Sequence, residues 1–264
     1  MTTQPFDKAQ GKPKFAMYWA ASCGGCEIAV LNTHEKILDV DANFDVVFWP
    51  VAMDAKYKDV EAMEDGSILL TLFNGGIRND ENEHIAKLLR QKSKILVSFG
   101  SCACEGCIPG LANLSPVGDI VHTAFNTITT DNPNEIYPQT TFDAPEGELH
   151  IPKLFPVLRP LDQVVDVDYY MPGCPPESHQ IAAVIDLVIQ VVKGEAELPP
   201  KGATIGVGDS TVCDECPLAR NVKMIKEFKR IQDIAPVDPT LCILEQGVPC
   251  NGPATRSGCN ARCP

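Results

Sequence analysis

Twelve cysteines, placed where packing alone would not put them, constrain this chain more than any other feature. Free cysteine can pack as a small apolar residue. Most of these cysteines instead sit in glycine- or proline-rich segments: Cys23-Gly24-Gly25-Cys26, Gly100-Ser101-Cys102-Ala103-Cys104-Glu105-Gly106-Cys107, Pro172-Gly173-Cys174-Pro175-Pro176, and a group that begins at Cys213. The opening residues MTTQPFDKAQGKPKF lack a signal peptide's apolar core and carry no twin-arginine motif. No stretch approaches the roughly 18 apolar residues of a spanning helix. The expected compartment is the cytoplasm, where thiols stay reduced, so ligand roles are expected before disulfides.

Length and charge narrow the classes further. A chain of 264 residues with 44% hydrophobic content can bury a full core and still carry an appendage. The 35 acidic against 22 basic side chains give a net charge of -13, which repels phosphate backbones and anionic lipid heads. Neither a nucleic-acid nor a membrane partner is expected.

Five apolar runs read as buried strands: FAMYWA (15–20), FDVVFW (44–49), SILLTLF (67–73), KILVSFG (94–100) and VVDVDYYM (164–171). Such runs, joined by helices of roughly 10 to 17 residues, imply a parallel sheet covered on both faces, because parallel strands need crossover connections. The expected fold is α/β, a flavodoxin-like doubly wound parallel sheet followed by a small cysteine-rich C-terminal region held by clusters. Residues 1–196 would form the first domain, 197–206 a linker, and 207–264 the C-terminal region. Beyond VKMIKEFKRI that region has little apolar content, so its folding would depend on cofactors or on the first domain. The polar segment between Gly110 and Pro160 shows no clear period and reads as a surface excursion that could dock a partner.

In doubly wound sheets ligands sit beyond the carboxyl ends of the strands, and Cys23, Cys26, Cys102 and Cys174 each follow the end of an apolar run. The two glycines between Cys23 and Cys26 allow a tight turn with amides facing cluster sulfurs, and the helix starting at Glu27 would turn its positive end toward an anionic cofactor. By itself this pair fits structural zinc about as well as an iron–sulfur cluster, and a thioredoxin-like redox pair is a third reading.

A CxxC pair after the first strand, GSCA after a middle strand and PGCPP after a later one, in this order, resemble the proximal-cluster motifs of nickel–iron hydrogenase small subunits. The resemblance covers residues 14–195 and is weaker to the related respiratory complex I subunit. It implies that Cys23, Cys26, Cys102 and Cys174 ligate a proximal 4Fe–4S cluster. Cys104 and Cys107 match no proximal ligand; extra thiols beside a cluster, or part of a zinc site, are the readings open for them.

The C-terminal region resembles the hydrogenases rather than their complex I relative. Cys213, Cys216, Cys242 and Cys250 follow the distal-cluster spacing, with Cys213 standing where the family commonly has histidine. Cys259 and Cys263 correspond to part of a medial cluster whose other ligands are missing before Pro264. A further cysteine segment beyond Pro264, ligands from another subunit, or an incomplete medial site would each account for this, the first being the expectation. Two to three 4Fe–4S clusters are expected in all.

Within the hydrogenases, SCGGCEIAVL, GSCAC and the all-cysteine distal pattern look like the methyl-viologen-reducing, F420-non-reducing group. The implied function is that of an electron-transferring iron–sulfur subunit. It would take electrons from a nickel–iron large subunit and pass them to a 2Fe–2S electron-transfer (delta) subunit and to heterodisulfide reductase. Because no motif here would hold nickel, catalysis is expected on the partner; the only residue singled out for proton relay is Glu27, from its place beside Cys26. The five histidines lack ligand spacing, Asn74-Gly75-Gly76 reads as a turn, and Asp80, Glu81 and Glu83 as a solvated helix start. Competing readings are the cluster subunit of a complex I-like or formate-linked oxidoreductase and, in another class, a zinc-held interaction module.

Overall fold

The computed structural model describes residues 11–234 and 236–262, which divide into two compact units between Ile205 and Gly206. The first unit runs β1 (Lys14–Trp19), α1 (Gly25–Leu31), α2 (Ile37–Asn43), β2 (Asp45–Phe48), α3 (Tyr57–Glu61), β3 (Ile68–Asn74), β4 (Ile77–Asn79), α4 (Asp80–Lys92), β5 (Ser93–Phe99), α5 (Ser101–Glu105), α6 (Cys107–Gly110), α7 (Val117–Phe125), β6 (Thr141–Ala144), β7 (Gly147–His150), β8 (Leu154–Arg159), β9 (Tyr169–Met171) and α8 (Ser178–Lys193).

Strands β2-β1-β3-β5-β9 form one parallel sheet in that order, the flavodoxin-like arrangement. Alternation along β1 shows why it is doubly wound. Phe15 and Met17 join a core with Ala29 and Val30 of α1, Val40 of α2 and Ile181, Val184 and Val188 of α8. Ala16 and Tyr18 join a second core with Val60 of α3 and Ile85, Ala86, Leu88 and Leu89 of α4. Successive side chains of a strand point to opposite faces, so a central strand buried on both sides is apolar throughout.

Three details differ from the sequence expectation. The helical run after β1 is broken into α1 and α2, because His34 adopts a left-handed backbone (φ 54°) inside a 3-10 turn spanning His34–Lys36. The run 164–171 contributes only its last three residues to the sheet, while Val164, Val165 and Val167 pack against the second core from outside it. Finally, the segment between Gly110 and Pro160 has regular structure: α7, the β6–β7 hairpin, and β8, which pairs antiparallel with β4. It is nonetheless largely exposed, consistent with a surface excursion that lacks a periodic buried face.

Residues 198–205 follow the edge of β9. Tyr170 N donates to Ala203 O at 3.1 Å and Ile205 N to Tyr170 O at 2.8 Å, and Leu198, Ala203 and Ile205 pack on the first core. Asp168, buried just before β9, accepts from Leu96 N at 2.8 Å and pairs with Arg90 at 2.7 Å and Lys201 at 2.6 Å, tying α4, β5 and the 198–205 segment together.

The second unit holds α9 (Val212–Glu215) and α10 (Ile231–Ile234) amid turns and isolated bridges. Its buried apolar side chains, among the described residues, are Val212 and Ala261. A core this small cannot offset the chain entropy of about 50 residues. Among the described residues no helix is long and apolar enough to cross a membrane.

Candidate iron–sulfur ligand sites

The first site lies at the carboxyl ends of the sheet. The chain leaving β1 carries Cys23 and Cys26, the chain leaving β5 carries Cys102 in α5, and the chain leaving β9 carries Cys174. Backbone bonds stitch the last two segments together: Gly100 N donates to Met171 O at 2.8 Å, Ser101 N to Gly173 O at 2.7 Å, and Gly173 N to the Ser101 hydroxyl at 3.1 Å. The turn after β3 packs equally tightly. A side chain on Gly75 would meet the backbone of Ala20 at 2.7 Å, and Gly76 forms a bridge with Ala21, which positions the approach to Cys23. Gly25 N donates to the Cys23 sulfur at 3.4 Å, the amide-to-sulfur contact expected of a turn built around an anionic centre.

These thiols share one electrostatic neighbourhood. Burial pushes Cys26 well above the ordinary thiol range, and the adjacent Cys102, Cys23 and Cys174 push it further. Burial also raises Cys102 to about 12, with Cys107, Cys174 and Cys23 adding to the shift. A free thiolate is thus disfavoured at buried Cys26 and Cys102, where water is excluded and neighbouring thiols crowd in, while Cys23 and Cys174 are exposed; bound iron would reverse that balance by supplying compensating positive charge. The donor set fits a cluster. Among the described residues no three His, Cys, Asp or Glu side chains close to single-ion geometry, whereas the cage of a cluster is several ångströms wide and takes its thiolates from separate directions.

The resemblance gives Cys107 no ligand role, yet its thiol stands close enough to those of Cys102 and Cys174 to help raise both. Gly106 (φ 88°) turns the chain back immediately after α5 and makes this approach possible, a signal already present in the glycine before Cys107. Cys104 points away and donates to Ser98 O at 3.3 Å; burial raises its thiol to about 11.

Glu27 is buried rather than presented at the surface of this chain. Trp49 Nε1 donates to its Oε2, while Oε1 and the side-chain amide of nearby Asn74 remain without a hydrogen-bond partner. Burial raises the carboxyl to about 7, partly offset by the Trp49 hydrogen bond and by the polar side chain of Asn74 close by, which falls short of a well-formed hydrogen bond. Sequence spacing could not reveal Trp49 or Asn74 as neighbours, since both come from other strand ends.

In the second unit, Cys213, Cys216, Cys242 and Cys250 line one cavity together with Val212, Leu218, Ile243 and Gly252. Cys213 lies within α9 and Cys216 caps its C-terminal end, while a capping box joins Thr211 and Asp214 at the other end. Cys242 is held by its amide, which donates to Ala219 O at 2.8 Å. A side chain at Gly252 would lie 3.4 Å from the sulfurs of both Cys213 and Cys250, and Gly252 N donates to the Cys250 sulfur at 3.3 Å. Four thiols around one largely apolar cavity, in a unit almost without a core of its own, fit a cluster as the element that holds the loops.

Cys259 lies on a neighbouring loop of the same unit. Glu215 clamps that loop, accepting from Gly258 N at 2.6 Å and Asn260 N at 3.1 Å. Cys263 lies outside the described residues. His84 and His150 pair with Glu61 and Glu148, and His122 contacts Asn126 and Tyr137.

Several known proteins resemble this chain over most of its length. The family described as NADH ubiquinone oxidoreductase, 20 Kd subunit, matches residues 23–188. The iron–sulfur subunit of the F420-non-reducing hydrogenase of Archaeoglobus profundus is 43% identical over 258 residues, covering 95% of this chain and 78% of that protein. A subunit of the F420-non-reducing vhu hydrogenase of Methanocaldococcus jannaschii is 38% identical over 252 residues, covering 95% and 77%. Among solved structures, a chain of an NAD+-reducing nickel–iron hydrogenase superposes with a TM-score of 0.59 at 26% identity, covering 71% of this chain and 96% of that one. A chain of the nickel–iron–selenium hydrogenase of Dm. baculatum shares the fold across 96% of this chain and 88% of its own, with a TM-score of 0.59 at 16% identity. With its cysteines at the strand ends and its sheet order in place, the chain belongs to the family of the 20 kDa NADH:ubiquinone oxidoreductase subunit and the nickel–iron hydrogenase small subunits, on the side of the F420-non-reducing hydrogenases.

Proposed function

We propose that this protein is the electron-transferring small subunit of a cytosolic nickel–iron hydrogenase. It would hold 4Fe–4S clusters that carry electrons away from hydrogen oxidation on a large-subunit partner. The observation that carries this reading is the convergence of Cys23, Cys26, Cys102 and Cys174 from three strand ends. These four would ligate the proximal cluster, Cys213, Cys216, Cys242 and Cys250 the distal one, and Cys259 with Cys263 part of a medial one.

Each bound cluster would accept and release a single electron, separating the pair that hydrogen yields. The chain supplies the surroundings. Amides of Gly25 and Gly252 donate to ligand sulfurs, burial around Cys26 and Cys102 limits water, and Glu215 holds the Cys259 loop beside α9. Such hydrogen bonds and burial are the means by which a protein sets cluster potentials. Glu27, next to Cys26 with one carboxylate oxygen unpaired, would relay protons for the partner's site. The downstream partners would be a 2Fe–2S electron-transfer subunit and heterodisulfide reductase subunits, as in the group to which the sequence is similar.

The test is the iron, zinc, nickel and acid-labile sulfide content of anaerobically purified protein, with its low-temperature EPR spectrum after dithionite reduction. About eight to twelve irons with matching sulfide are expected, along with a co-purifying nickel-containing subunit. Stoichiometric zinc without sulfide would replace this reading with a zinc-held interaction protein.

A further inference from the structure

Residues 221–233 of the second unit are exposed without interruption, although they include Val222, Met224, Ile225, Phe228 and Ile231. Large apolar side chains grouped in this way on a surface mark a place where another surface is meant to lie. The run also carries Lys223, Lys226, Lys229 and Arg230 against the single acid Glu227 up to position 230, inside a chain whose net charge is -13. Lys229 pairs with Glu227 at 2.6 Å, while Lys223, Lys226 and Arg230 form no ion pair among the described residues.

The run is pinned at both ends to the loops that carry two of the cavity cysteines. The carboxylate of Glu245, between Cys242 and Cys250, accepts from Asn221 N at 2.9 Å, Val222 N at 3.1 Å and Lys223 N at 2.5 Å. Farther along, Lys229 N donates to Gly247 O at 2.8 Å. Just before the run, Ala219 bridges to Leu241 and accepts from Cys242 N. A protein seated on this strap would therefore be held beside the four-cysteine cavity.

We propose that residues 222–231 form the docking strap for an acidic redox protein that takes electrons from the Cys213, Cys216, Cys242 and Cys250 site. The inference rests on the electron-transfer reading above and adds the partner's chemistry: a negatively charged face surrounding an apolar patch. An acidic carrier is repelled by most of this chain, and the strap is where local positive charge overcomes that repulsion. It thereby selects the one orientation that brings the carrier to the cavity. Each encounter passes one electron, oxidising the site by one and reducing the carrier by one. The apolar side chains then hold the complex by burial once the charges have steered it.

The experiment uses the full chain in its purified complex, reduced with dithionite and freed of excess reductant. An acidic 2Fe–2S ferredoxin serves as probe and the basic protein cytochrome c as control, both followed by stopped-flow. The triple substitution Lys223→Glu, Lys226→Glu, Arg230→Glu is expected to slow ferredoxin reduction on the order of tenfold at low salt, with the difference shrinking as salt screens the charges. Phe228→Ser should weaken binding of oxidised ferredoxin in titration calorimetry without changing the salt dependence. Iron content, cluster EPR and cytochrome c reduction should stay at the unsubstituted level. Unchanged ferredoxin reduction and binding in the triple variant would overturn the proposal. So would a concentration-dependent dimer, dissolved by the triple substitution, which would assign the strap to a second copy of the chain. Absence of clusters, or failure to reduce either probe, would instead remove the electron-transfer reading itself.

Discussion

Gly100 lies so close to Cys26 that a β-carbon on Gly100 would overlap the Cys26 sulfur. Its backbone is also left-handed, at φ 81°. The two residues come from different strand ends, so this single approach fixes the distance between the β1 and β5 contributions to the first site. Gly100→Ala should remove about four irons from the purified protein, the content of one cluster, and leave the second unit's signal intact. Iron analysis and EPR on the variant check it; a full complement of iron would show that the loops can relax apart.

Cys107 and Cys174 are in contact yet are expected to behave differently. Cys107→Ser should retain full iron content and the reduced-cluster spectrum, since the four ligands of the proposed site remain and a hydroxyl fits the space of the thiol. Cys174→Ala should lose one cluster. Equal losses in the two variants would make Cys107 a ligand in its own right.

Glu27→Gln keeps the shape of the side chain and can still accept from Trp49, but it cannot carry a proton. Hydrogen turnover in the assembled complex should fall on the order of a hundredfold, the lower end of the range for loss of a proton-transfer group. Cluster content and EPR should be unaltered. An unchanged turnover rate would end the relay role.

Asp168 supplies the clearest pH dependence outside the sites. Burial alone would raise its carboxyl, but the Lys201 and Arg90 partners and the Leu96 amide outweigh that and hold it below the ordinary carboxylate range. A group depressed on folding stabilises the native state above its unfolded pKa, near 4, and that contribution is lost as pH falls further through the folded value. Asp168→Asn should cost about 2 kcal/mol at neutral pH, less than a fully buried pair because Lys201 is largely exposed. The cost should shrink below about pH 4. Denaturant titrations at pH 7 and pH 3 read both values directly.

The broad plan was legible in the chain because its signals are local. A two-residue alternation, or an unbroken apolar run, is written into β1, β3 and β5 and needs nothing distant to be read. The glycine- and proline-flanked cysteines are local signals too, and their order carried the family resemblance. The long segment before β8 was harder to read, because its hairpin and helix bury little and so impose no apolar period.

Tertiary structure decided what depends on separate strand ends meeting. Cys107 reaches Cys102 and Cys174 only because Gly106 reverses the chain, and Trp49 reaches Glu27 only because β2 lies beside β1. In sequence, VKMIKEFKRI is the main apolar stretch of the C-terminal region. The fold leaves it outside, pinned by Glu245 and Gly247. By itself the sequence determined which residues are candidate ligands and which segments could form the sheet, since both follow from side-chain chemistry and short-range pattern. Which thiols share a site, and which apolar residues remain for a partner, depend on long-range contacts that no local pattern encodes.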